Sequence, residues 1–359
     1  MNKQLVVIDG AYLFGPLNGI NRYSREVVLA IDSLESRGKY IFQIVVPENL
    51  KVEVKFKNIE VVGINTSILK CDEASLRGWT RKCAEPYARR HKAYFMNFTG
   101  SVPLLLKGYT CLHDIRPICF DREKVGRKPR FFKIKFIINS IFAKLLGSKI
   151  VTLTEYSKKT IVDYLKIKSK NISVNACGWE HIEGTIEDIS IFDKLTNVVP
   201  GQYYFSLGSL APHKNYRWIL EVARRNPKCV FVIAGGKELD VWDDNQQVKE
   251  SNIIYTGRIS DDEMKALLKG CKMLLFPSLF EGFGLPPLEA LALGKKVAVA
   301  SSSCLPEVFE DTVSYFNPYD YDVNLNELYR QEVDSPSKIL EKYTWHNNAL
   351  NWIKLLDEL

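Results

Sequence analysis

The sequence predicts an α/β protein made of two doubly wound domains. Short runs of β-branched and aromatic residues alternate with longer segments of helical pattern along the whole chain, which is typical of parallel sheets built from βαβ units. The chain has 359 residues, more than one hydrophobic core usually serves, so two domains of similar size are expected. With 46% hydrophobic and 25% charged residues, the composition is that of an ordinary globular protein.

Twelve runs predict the strands of the two sheets. In the first half they are LVVID, FQIVV, IEVVGI, YFMNF, TCLHD, IVTLT and ISVNA. In the second half they are YYFSLG, CVFVIAG, NIIYTG, MLLFPS and KVAVAS. The final segment, KYTWHNNALNWIKLLDEL, has apolar residues at helical spacing and predicts a closing amphipathic helix.

The domain boundary is placed near Thr196. There the strand-like ISVNACGW gives way to an acidic, uneven segment before the next strand. We therefore predict domains at residues 1–195 and 196–335, followed by a terminal helical segment at 336–359.

The chain lacks the patterns of several other protein classes. Its eight cysteines form no C-x-x-C pair and no close His/Cys ligand spacing, which predicts neither a zinc site nor a disulfide framework. The apolar part of MNKQLVVIDG is too short for a signal peptide. The longest apolar region, Phe131 to Leu146, is interrupted by polar residues and falls short of the roughly 20 apolar residues of a membrane span. A reducing compartment and peripheral membrane contact are expected.

Positive charge is concentrated in one stretch. The net charge is +7, and residues 122 to 149 contain only one acidic residue, Glu123. The basic residues of this stretch are Arg122, Lys124, Arg127, Lys128, Arg130, Lys133, Lys135, Lys144 and Lys149. The stretch is either the solvated face of a helix or a patch attracted to anionic lipids, and we favour the membrane patch.

Ligands of open parallel sheets bind beyond the carboxyl ends of the strands, which directs attention to the loop in FPSLFEGFGLPPLEALALG. The glycines at 282 and 284 let a ligand approach the backbone, and Pro286 suits the first turn of a helix. Free N–H groups at a helix start favour a phosphate. Glu281 and Glu289 would instead accept hydrogen bonds from hydroxyls, although Glu289 also fits a purely structural role near the positive helix end.

This loop carries a family resemblance. EGFGLPPLEALALG resembles the E-x7-E segment of glycosyltransferase family 4, whose members are retaining enzymes of the GT-B fold. YYFSLGSLAPHKNYRWILEVA, NIIYTGRISDDEMKALLKGC and SSSCLPEVFED are similar to other segments of the same family, and the first half matches more loosely. The resemblance implies two Rossmann-like domains facing a central cleft. The N-terminal domain would bind the acceptor and the C-terminal domain the nucleotide sugar, with the last helix crossing back.

The resemblance also assigns roles to residues of the C-terminal domain. Glu289 would hold the ribose, Glu281 the donor sugar and Lys214 the diphosphate, whose growing negative charge a fixed cation offsets. The backbone around the sugar and phosphates would come from Gly282, Phe283, Gly284 and Leu285.

One position departs from the family. Many relatives have arginine after the glycine of the first loop, whereas Gly208 is followed by Ser209 here. His213 and Arg258 are both candidates for the replacing cation, and the sequence does not choose between them.

Two segments of the N-terminal domain contain further candidate residues. His113, in TCLHDIRP, resembles its active-site histidine and would position the reactants, although a histidine simply ending a strand beside a turn-forming Asp114 is an alternative. Gly15 and Gly19 could form a loop near the donor phosphates, which is a weaker signal.

No bound metal or other cofactor is expected. The one Asp-x-Asp tripeptide, Asp320 to Asp322, follows Asn317 and Pro318 in a turn-like segment, so Asx-turn and helix-capping roles explain it better than metal binding. The diphosphate charge is then left to Lys214 and to helix dipoles. Retention would follow a front-face route in which the leaving phosphate takes the proton of the acceptor hydroxyl.

The sequence thus predicts a hexosyltransferase of surface polysaccharide synthesis, such as that of lipopolysaccharide, with GDP-mannose as the first donor to test and UDP- or dTDP-sugars as alternatives. The acceptor would be a glycan or a lipid-linked oligosaccharide, at the cytoplasmic face of the membrane. No nucleic-acid recognition module accompanies the basic residues. The E-x7-E segment argues against an epimerase, and no evident pyridoxal-phosphate lysine setting favours a phosphorylase. A catalytically silent subunit that binds a partner transferase stays open because of Ser209.

Overall fold

The computed structural model describes residues 3–15, 17–66, 78–100, 106–119, 148–208, 211–235 and 250–359. The chain divides into two compact units, Met1–Gly178 with Tyr343–Leu359, and Trp179–Lys342. Within the described residues each unit is built on its own parallel sheet, of seven strands and of six. The predicted fold class, two doubly wound α/β domains, is confirmed.

The sheet of the N-terminal unit has the order β3-β2-β1-β4-β5-β6-β7. Its strands are β1 (Gln4–Asp9), β2 (Tyr40–Pro47), β3 (Glu60–Ile64), β4 (Tyr94–Asn97), β5 (Gly108–Cys111), β6 (Ser148–Thr152) and β7 (Ile172–Val174). Each of the seven strands predicted in the first half overlaps one of these. Central strands are apolar on both faces, as Val6 and Val7 show by being completely buried, because helices cover both sides of the sheet.

The first helix of this unit, α1, follows the loop after β1. The helices are α1 (Gly19–Ser33), α2 (Glu85–Arg90), α3 (Arg116–Cys119) and α4 (Glu155–Leu165). The Asn18 side chain accepts a hydrogen bond from the N–H of Asn21 at 2.9 Å and caps α1. At the end of β1, the buried Asp9 carboxylate accepts hydrogen bonds from the backbone N–H of Ala11 and from the side chains of Trp79, Thr80 and Asn97. The loop is thereby fixed to the sheet.

The sheet of the C-terminal unit has the order β10-β9-β8-β11-β12-β13, with β8 and β11 at its centre. Its strands are β8 (Tyr203–Leu207), β9 (Val230–Ala234), β10 (Ile253–Gly257), β11 (Met273–Phe276), β12 (Val297–Ala300) and β13 (Ser314–Phe316). Five of the six were predicted. The sixth, β13, has only three residues, too few to display a strand pattern in the sequence.

Eight helices are described in the C-terminal unit. They are α5 (His181–Gly184), α6 (Ile191–Lys194), α7 (Tyr216–Arg225), α8 (Asp261–Gly270), α9 (Leu285–Ala292), α10 (Leu305–Phe309), α11 (Leu325–Arg330) and α12 (Ser337–Lys342). Two of them follow central strands directly: α7 comes after β8 and α9 after β11. Their first turns therefore lie at the same edge of the sheet.

The last helix, α13 (Trp345–Asp357), belongs to the N-terminal unit. Its buried face contains Trp345, Ala349 and Trp352 at helical spacing, which confirms the predicted amphipathic helix. The Tyr109 hydroxyl of β5 donates a hydrogen bond to the carbonyl of Leu355 at 2.7 Å. No helix in the described part of the chain has the length and apolarity to cross a bilayer.

The contacts divide the chain after Gly178, whereas the sequence placed the boundary after residue 195. The acidic segment between these points packs on α8 through charged side chains. The Lys194 ammonium lies 2.8 Å from the Glu263 carboxylate, and Lys269 pairs with Glu187. These long-range ion pairs are invisible in the composition of the segment, which alone suggested a linker.

Candidate active site

The loops that follow β8 and β11 meet at the carboxyl edge of the C-terminal sheet. A short 3-10 turn, Pro212–Lys214, follows β8, and residues 277 to 284 join β11 to α9. The backbone N–H of Leu279 donates to the carbonyl of His213 at 2.7 Å and fixes one loop to the other. Because of this bond, two residues that are distant in sequence, Lys214 and Glu281, become neighbours.

Lys214 and Glu281 form an ion pair. The lysine Nζ lies 2.7 Å from Oε1 of the glutamate, and both side chains are largely buried, at 17% and 14% exposed. The ammonium also lies 5.2 Å from the ring centroid of Phe276. The sequence predicted both residues for the donor site, and the structure brings them together. A cation beside a carboxylate can bind one ligand at two points. The cation contacts an anionic group, and the carboxylate accepts a hydrogen bond from a hydroxyl.

Glycines shape the backbone beside this pair. A Cβ atom on Gly208, whose φ is 150°, would lie 3.5 Å from Cε of Lys214. A Cβ atom on Gly235, whose φ is 93°, would lie only 2.4 Å from the carbonyl oxygen of Gly208. The ends of β8 and β9 therefore pack backbone against backbone, which only glycine permits. Gly235 was not predicted as a site residue, although the glycine pair after CVFVIA is a signal for such a position.

The start of α9 depends on Gly284 in the same way. This residue caps the helix in the left-handed region, with φ 108° and ψ 60°. A Cβ atom there would lie 3.0 Å from Leu305 and 3.1 Å from Phe309 of α10. Pro286 and Pro287 occupy the first turn, as expected for a helix start. The predicted backbone segment from Gly282 to Leu285 thus lies at the positive end of α9, the end suited to an anion.

The loop after β12 supports this segment. The backbone N–H of Glu281 donates to Oγ of Ser303 at 3.1 Å, and the Cys304 thiol donates to the Glu281 carbonyl at 3.3 Å. The Ser302 hydroxyl donates to the carbonyl of Ser278 at 2.6 Å. Burial and the nearby Glu281 carboxylate raise the pKa of the Cys304 thiol well above its ordinary value, so it remains a donor. The sequence resemblance reached this segment without indicating these bonds.

Glu289 lies inside the unit, on the second turn of α9. The residue is 3% exposed, and its Oε1 lies 2.8 Å from Nε2 of His181. Sequence analysis predicted Glu289 as the ribose ligand and did not consider His181. No local signal marks this histidine in the sequence, because the contact joins residues 108 positions apart.

The comparisons with known proteins match this unit. The family model described as Glycosyl transferases group 1 matches residues 188–333, which include β8 to β13 and the loops that hold Lys214, Glu281 and Glu289. This unit carries a glycosyl transferases group 1 domain. The predicted resemblance to a glycosyltransferase family is confirmed at this level, while assignment to family 4 stays a prediction.

Two curated relatives and one solved structure extend the match. The chain is 29% identical over 244 residues to the serotype-specific mannosyltransferase WbdA of Escherichia coli, covering 62% of this chain and 29% of WbdA. It is 26% identical over 277 residues to O-antigen chain mannosyltransferase B of Escherichia coli, covering 70% of this chain and 71% of that protein. Anabaena Alr3699/HepE in complex with UDP superposes with a TM-score of 0.66 at 13% identity, covering 99% and 100% of the two chains. The chain has the GT-B fold.

The other predicted donor-site residues of the group 1 domain differ in how far they are exposed. His213 is buried beside Lys214, whereas Arg258 is exposed just beyond β10. Ser209 lies outside the described residues, and so does most of the basic stretch, residues 122 to 147. The choice of replacing cation between His213 and Arg258 stays open.

Outside the group 1 domain, His113 follows β5 in the N-terminal unit. Its Nε2 lies 2.9 Å from the carbonyl oxygen of Phe98, so this nitrogen carries the proton and Nδ1 is left as an acceptor in the neutral ring. Burial lowers the pKa of His113 below its usual value, although the Phe98 contact and the Asp114 charge oppose this effect. The ring of Tyr23 on α1 meets the imidazole edge-on at 4.8 Å.

Gly19, one of the two glycines predicted near the donor phosphates, is the first residue of α1 and is exposed. A Cβ atom on Gly19 would have no neighbour within 4 Å. No packing constraint therefore requires glycine at this position, in contrast to Gly284.

Asp320 has the turn role that the sequence predicted. Its Oδ1 accepts a hydrogen bond from the backbone N–H of Asp322 at 3.0 Å, an Asx turn, while Asn324 rather than either aspartate caps α11. Among the described residues, no group of three or more His, Cys, Asp or Glu side chains is placed to hold a metal ion. Metal independence itself stays a prediction.

Proposed function

We propose that this protein is a retaining glycosyltransferase of surface polysaccharide synthesis. It moves a hexose from a nucleotide sugar to a glycan or lipid-linked glycan acceptor, and the first donor to test is GDP-mannose. The observation that carries the proposal is the Lys214–Glu281 pair, 2.7 Å apart beside the start of α9 inside a glycosyl transferases group 1 domain. The mannosyltransferase names of the two curated relatives support the choice of sugar.

When the donor binds, the two side chains of this ion pair separate and contact different parts of the donor. The ammonium of Lys214 turns to the diphosphate, and the N–H groups at the start of α9 face the same anion. The carboxylate of Glu281 is then left to accept hydrogen bonds from hydroxyls of the donor sugar. Glu289 holds the ribose from inside the unit. A fixed cation and a helix end stabilise the charge that develops on the leaving diphosphate, and they do so without reorganisation during the reaction.

Retention follows a front-face route. The bond between the anomeric carbon and the leaving phosphate oxygen breaks while the acceptor oxygen attacks from the same side, and the departing phosphate takes the hydroxyl proton. Neutral His113 positions the reactants through the acceptor lone pair of its Nδ1. The chain's own groups supply position and charge in this scheme, and no metal ion or other cofactor takes part.

The basic stretch from Arg122 to Lys149 gives the protein a peripheral place on the cytoplasmic face of the membrane. Clustered lysine and arginine side chains are attracted to anionic lipid headgroups, by about 1 kcal/mol per residue near the surface. Such a position brings the site to lipid-linked acceptors.

Donor binding to the full chain tests the proposal. GDP-, UDP-, dTDP- and ADP-sugars are added with EDTA present, and both thermal stabilisation and donor hydrolysis are followed for the wild type, Glu289→Ala and Glu221→Ala. Glu221 forms ion pairs with Arg224 and Arg225 on α7, so its variant controls for the loss of a charged side chain elsewhere in the unit.

One nucleotide class should stabilise the wild type and be hydrolysed slowly without metal. Glu289→Ala should lose both effects and Glu221→Ala should keep them. If no donor stabilises or reacts with the wild type, the active-enzyme proposal fails and the silent-subunit alternative replaces it. A UDP-sugar as the sole active donor would retain the transferase and correct the sugar; UDP is the nucleotide held by the similar Anabaena structure.

A further inference from the structure

The contact between His181 and Glu289 has no role in the reaction described above. Nε2 of the histidine lies 2.8 Å from Oε1 of the glutamate, and both side chains are only 4% exposed. The two residues lie in the C-terminal unit, one on α5 and the other on α9. A contact this deeply buried constrains the direction of the carboxylate.

His181 is held by several bonds of its own segment. Ile182, the next residue, is 1% exposed. The Lys265 ammonium of α8 donates to the carbonyls of Glu183 at 3.1 Å and Thr185 at 2.7 Å, and the Thr185 hydroxyl donates to the carbonyl of His181 at 3.0 Å. The short helix α5 is thus fixed at its carboxyl end by a cation and at its first residue by a hydroxyl. These bonds fix the backbone that carries the imidazole.

Glu289 is equally restricted at its backbone. Its neighbours on α9, Leu288 and Ala290, are completely buried, and its carbonyl accepts the N–H of Leu293 at 3.1 Å. The remaining freedom is rotation of the side chain itself. The imidazole donor at Oε1 limits that rotation.

An oriented carboxylate is a better receptor for a sugar diol than a free one. A carboxylate has about four lone-pair directions on its two oxygens. A hydrogen-bond donor on Oε1 fixes the plane of the carboxylate and therefore the directions of the Oε2 lone pairs. Without that donor, fewer contacts order the carboxylate before the ligand binds, and the added cost of ordering it on binding weakens the affinity.

We propose that His181 is a positioning residue that orients the Glu289 carboxylate for the ribose hydroxyls of the donor nucleotide. His181 thereby determines how strongly the protein prefers ribonucleotides to 2′-deoxyribonucleotides. This inference rests on the proposed function, in which Glu289 holds the ribose.

A purely structural role for the pair gives a different result. Removing the histidine leaves a buried carboxylate with one donor fewer, which lowers stability under either interpretation. The preference for ribose changes only if the histidine orients the carboxylate for the ligand. The ratio of two affinities, measured on the same folded variant, separates the two roles.

Calorimetric titration of the full chain with GDP, UDP and their 2′-deoxy forms tests this proposal. The proteins are the wild type, His181→Leu, His181→Gln and Glu289→Gln. His91→Leu is the control, because His91 is exposed and lies in the N-terminal unit. The wild type should bind the ribonucleotide about tenfold more tightly than its 2′-deoxy form, the worth of one hydrogen bond to a charged group.

His181→Leu should still bind but reduce this preference to about twofold or less. His181→Gln should restore it, because its amide nitrogen can reach the position of Nε2. Should the leucine variant fail to fold, His181→Asn takes its place, since the shorter amide cannot reach Glu289. His91→Leu should match the wild type.

Full ribose preference in a folded His181→Leu or His181→Asn variant, whatever its melting temperature, would overturn the positioning role and leave the proposed function intact. Equal binding of both forms by the wild type would remove the ribose role of Glu289 and this inference with it. A wild type that binds no nucleotide and no nucleotide sugar would overturn the proposed function as well.

Discussion

The loops after β8 and β11 in the C-terminal unit carry charge and glycine, whereas His113 in the N-terminal unit lies against the aromatic ring of Tyr23. In the first region Lys214 and Glu281 form an ion pair at 2.7 Å next to the positive end of α9. In the second, burial lowers the pKa of the histidine, although the adjacent Asp114 opposes this effect, and the ring of Tyr23 packs edge-on against the imidazole. A leaving diphosphate needs opposite charge, while an acceptor hydroxyl needs only a neutral group in the right place.

The two regions are also held together in different ways. In the C-terminal unit, the loop of Glu281 is fixed through its backbone, whose N–H donates to Ser303 and whose carbonyl accepts from the Cys304 thiol. In the N-terminal unit, the contacts are made to the His113 ring itself: Nε2 donates to the Phe98 carbonyl, and Tyr23 meets the ring at 4.8 Å and Trp345 of α13 at 5.8 Å. Hydrogen bonds to the backbone hold the Glu281 loop without using the Glu281 carboxylate, whereas contacts to the His113 ring fix the imidazole itself.

The largest expected effect concerns the charged region. Replacing Lys214 with alanine removes the cation that we propose for the leaving diphosphate, and we expect kcat/KM to fall by roughly 10²- to 10³-fold. Steady-state kinetics with the donor identified by the panel measures this loss. The nucleoside diphosphate should also bind more weakly to the variant.

Lys194→Ala is the matched control, because it breaks another Lys–Glu pair of the same unit, Lys194 with Glu263, at a similar distance of 2.8 Å but with an exposed lysine. Its kcat/KM should stay within about twofold of the wild type, as expected for an exposed pair. Equal losses in the two variants would mean that Lys214 contributes only to folding.

Substitution of His113 should change kcat alone. His113→Phe keeps an aromatic ring against Tyr23 but removes both nitrogens, and we expect kcat to fall by about 10²-fold, the cost of lost positioning. The affinity for the nucleoside diphosphate should be unchanged, since in the proposed mechanism the charge that binds it lies on Lys214. Calorimetry beside kinetics checks the division, and a variant that loses nucleotide affinity would contradict it.

Much of this comparison could be predicted from the sequence, since strand runs and the E-x7-E segment are local patterns. They located β11, Glu281, Gly284 and the start of α9 because a strand, a glycine turn and a Pro-led helix follow one another within twenty residues. Lys214 and His113 were found by resemblance to a family motif.

Contacts between distant segments could not be predicted in this way. His181 and Glu289 are 108 positions apart, and the ties from Ser303 to the Glu281 loop join two different strands. The contact-based division after Gly178 differs from the predicted boundary near Thr196 for the same reason, because ion pairs such as Lys194 with Glu263 join the intervening segment to α8. Local pattern gives the elements, and long-range polar contacts decide how the site is supported.

Glycine substitutions test how closely the backbone of the charged region is packed. Gly284→Ala introduces a Cβ atom 3.0 Å from Leu305 at a φ of 108°, and we expect a loss of about 1–3 kcal/mol in the free energy of unfolding. Denaturant titration measures this loss. An unchanged stability would mean that the loop can rebuild the start of α9 without the left-handed residue.

The uncharged state of His113 makes stability depend on pH. Its folded pKa lies below the usual value of about 6.5, so between these two values the unfolded chain binds more protons than the folded one. The free energy of unfolding should therefore fall as the pH is lowered through this window. His113→Gln should flatten the dependence, while His91→Gln should not. Identical pH profiles for the wild type and His113→Gln would show that the imidazole is not held neutral.

The smallest effect separates folding from function at Gly19. Alanine has a higher helix propensity than glycine, and a Cβ atom at the first residue of α1 meets nothing within 4 Å, so Gly19→Ala should raise the free energy of unfolding by about 0.5 kcal/mol. If the backbone at Gly19 approaches the donor phosphates, as the sequence predicts, the added methyl group should nevertheless raise the KM for the donor severalfold. Gly284→Ala should lower stability, so the two glycines are expected to differ in sign. A Gly19→Ala variant that gains stability and keeps its KM would remove Gly19 from the donor site and leave charge recognition to the C-terminal unit alone.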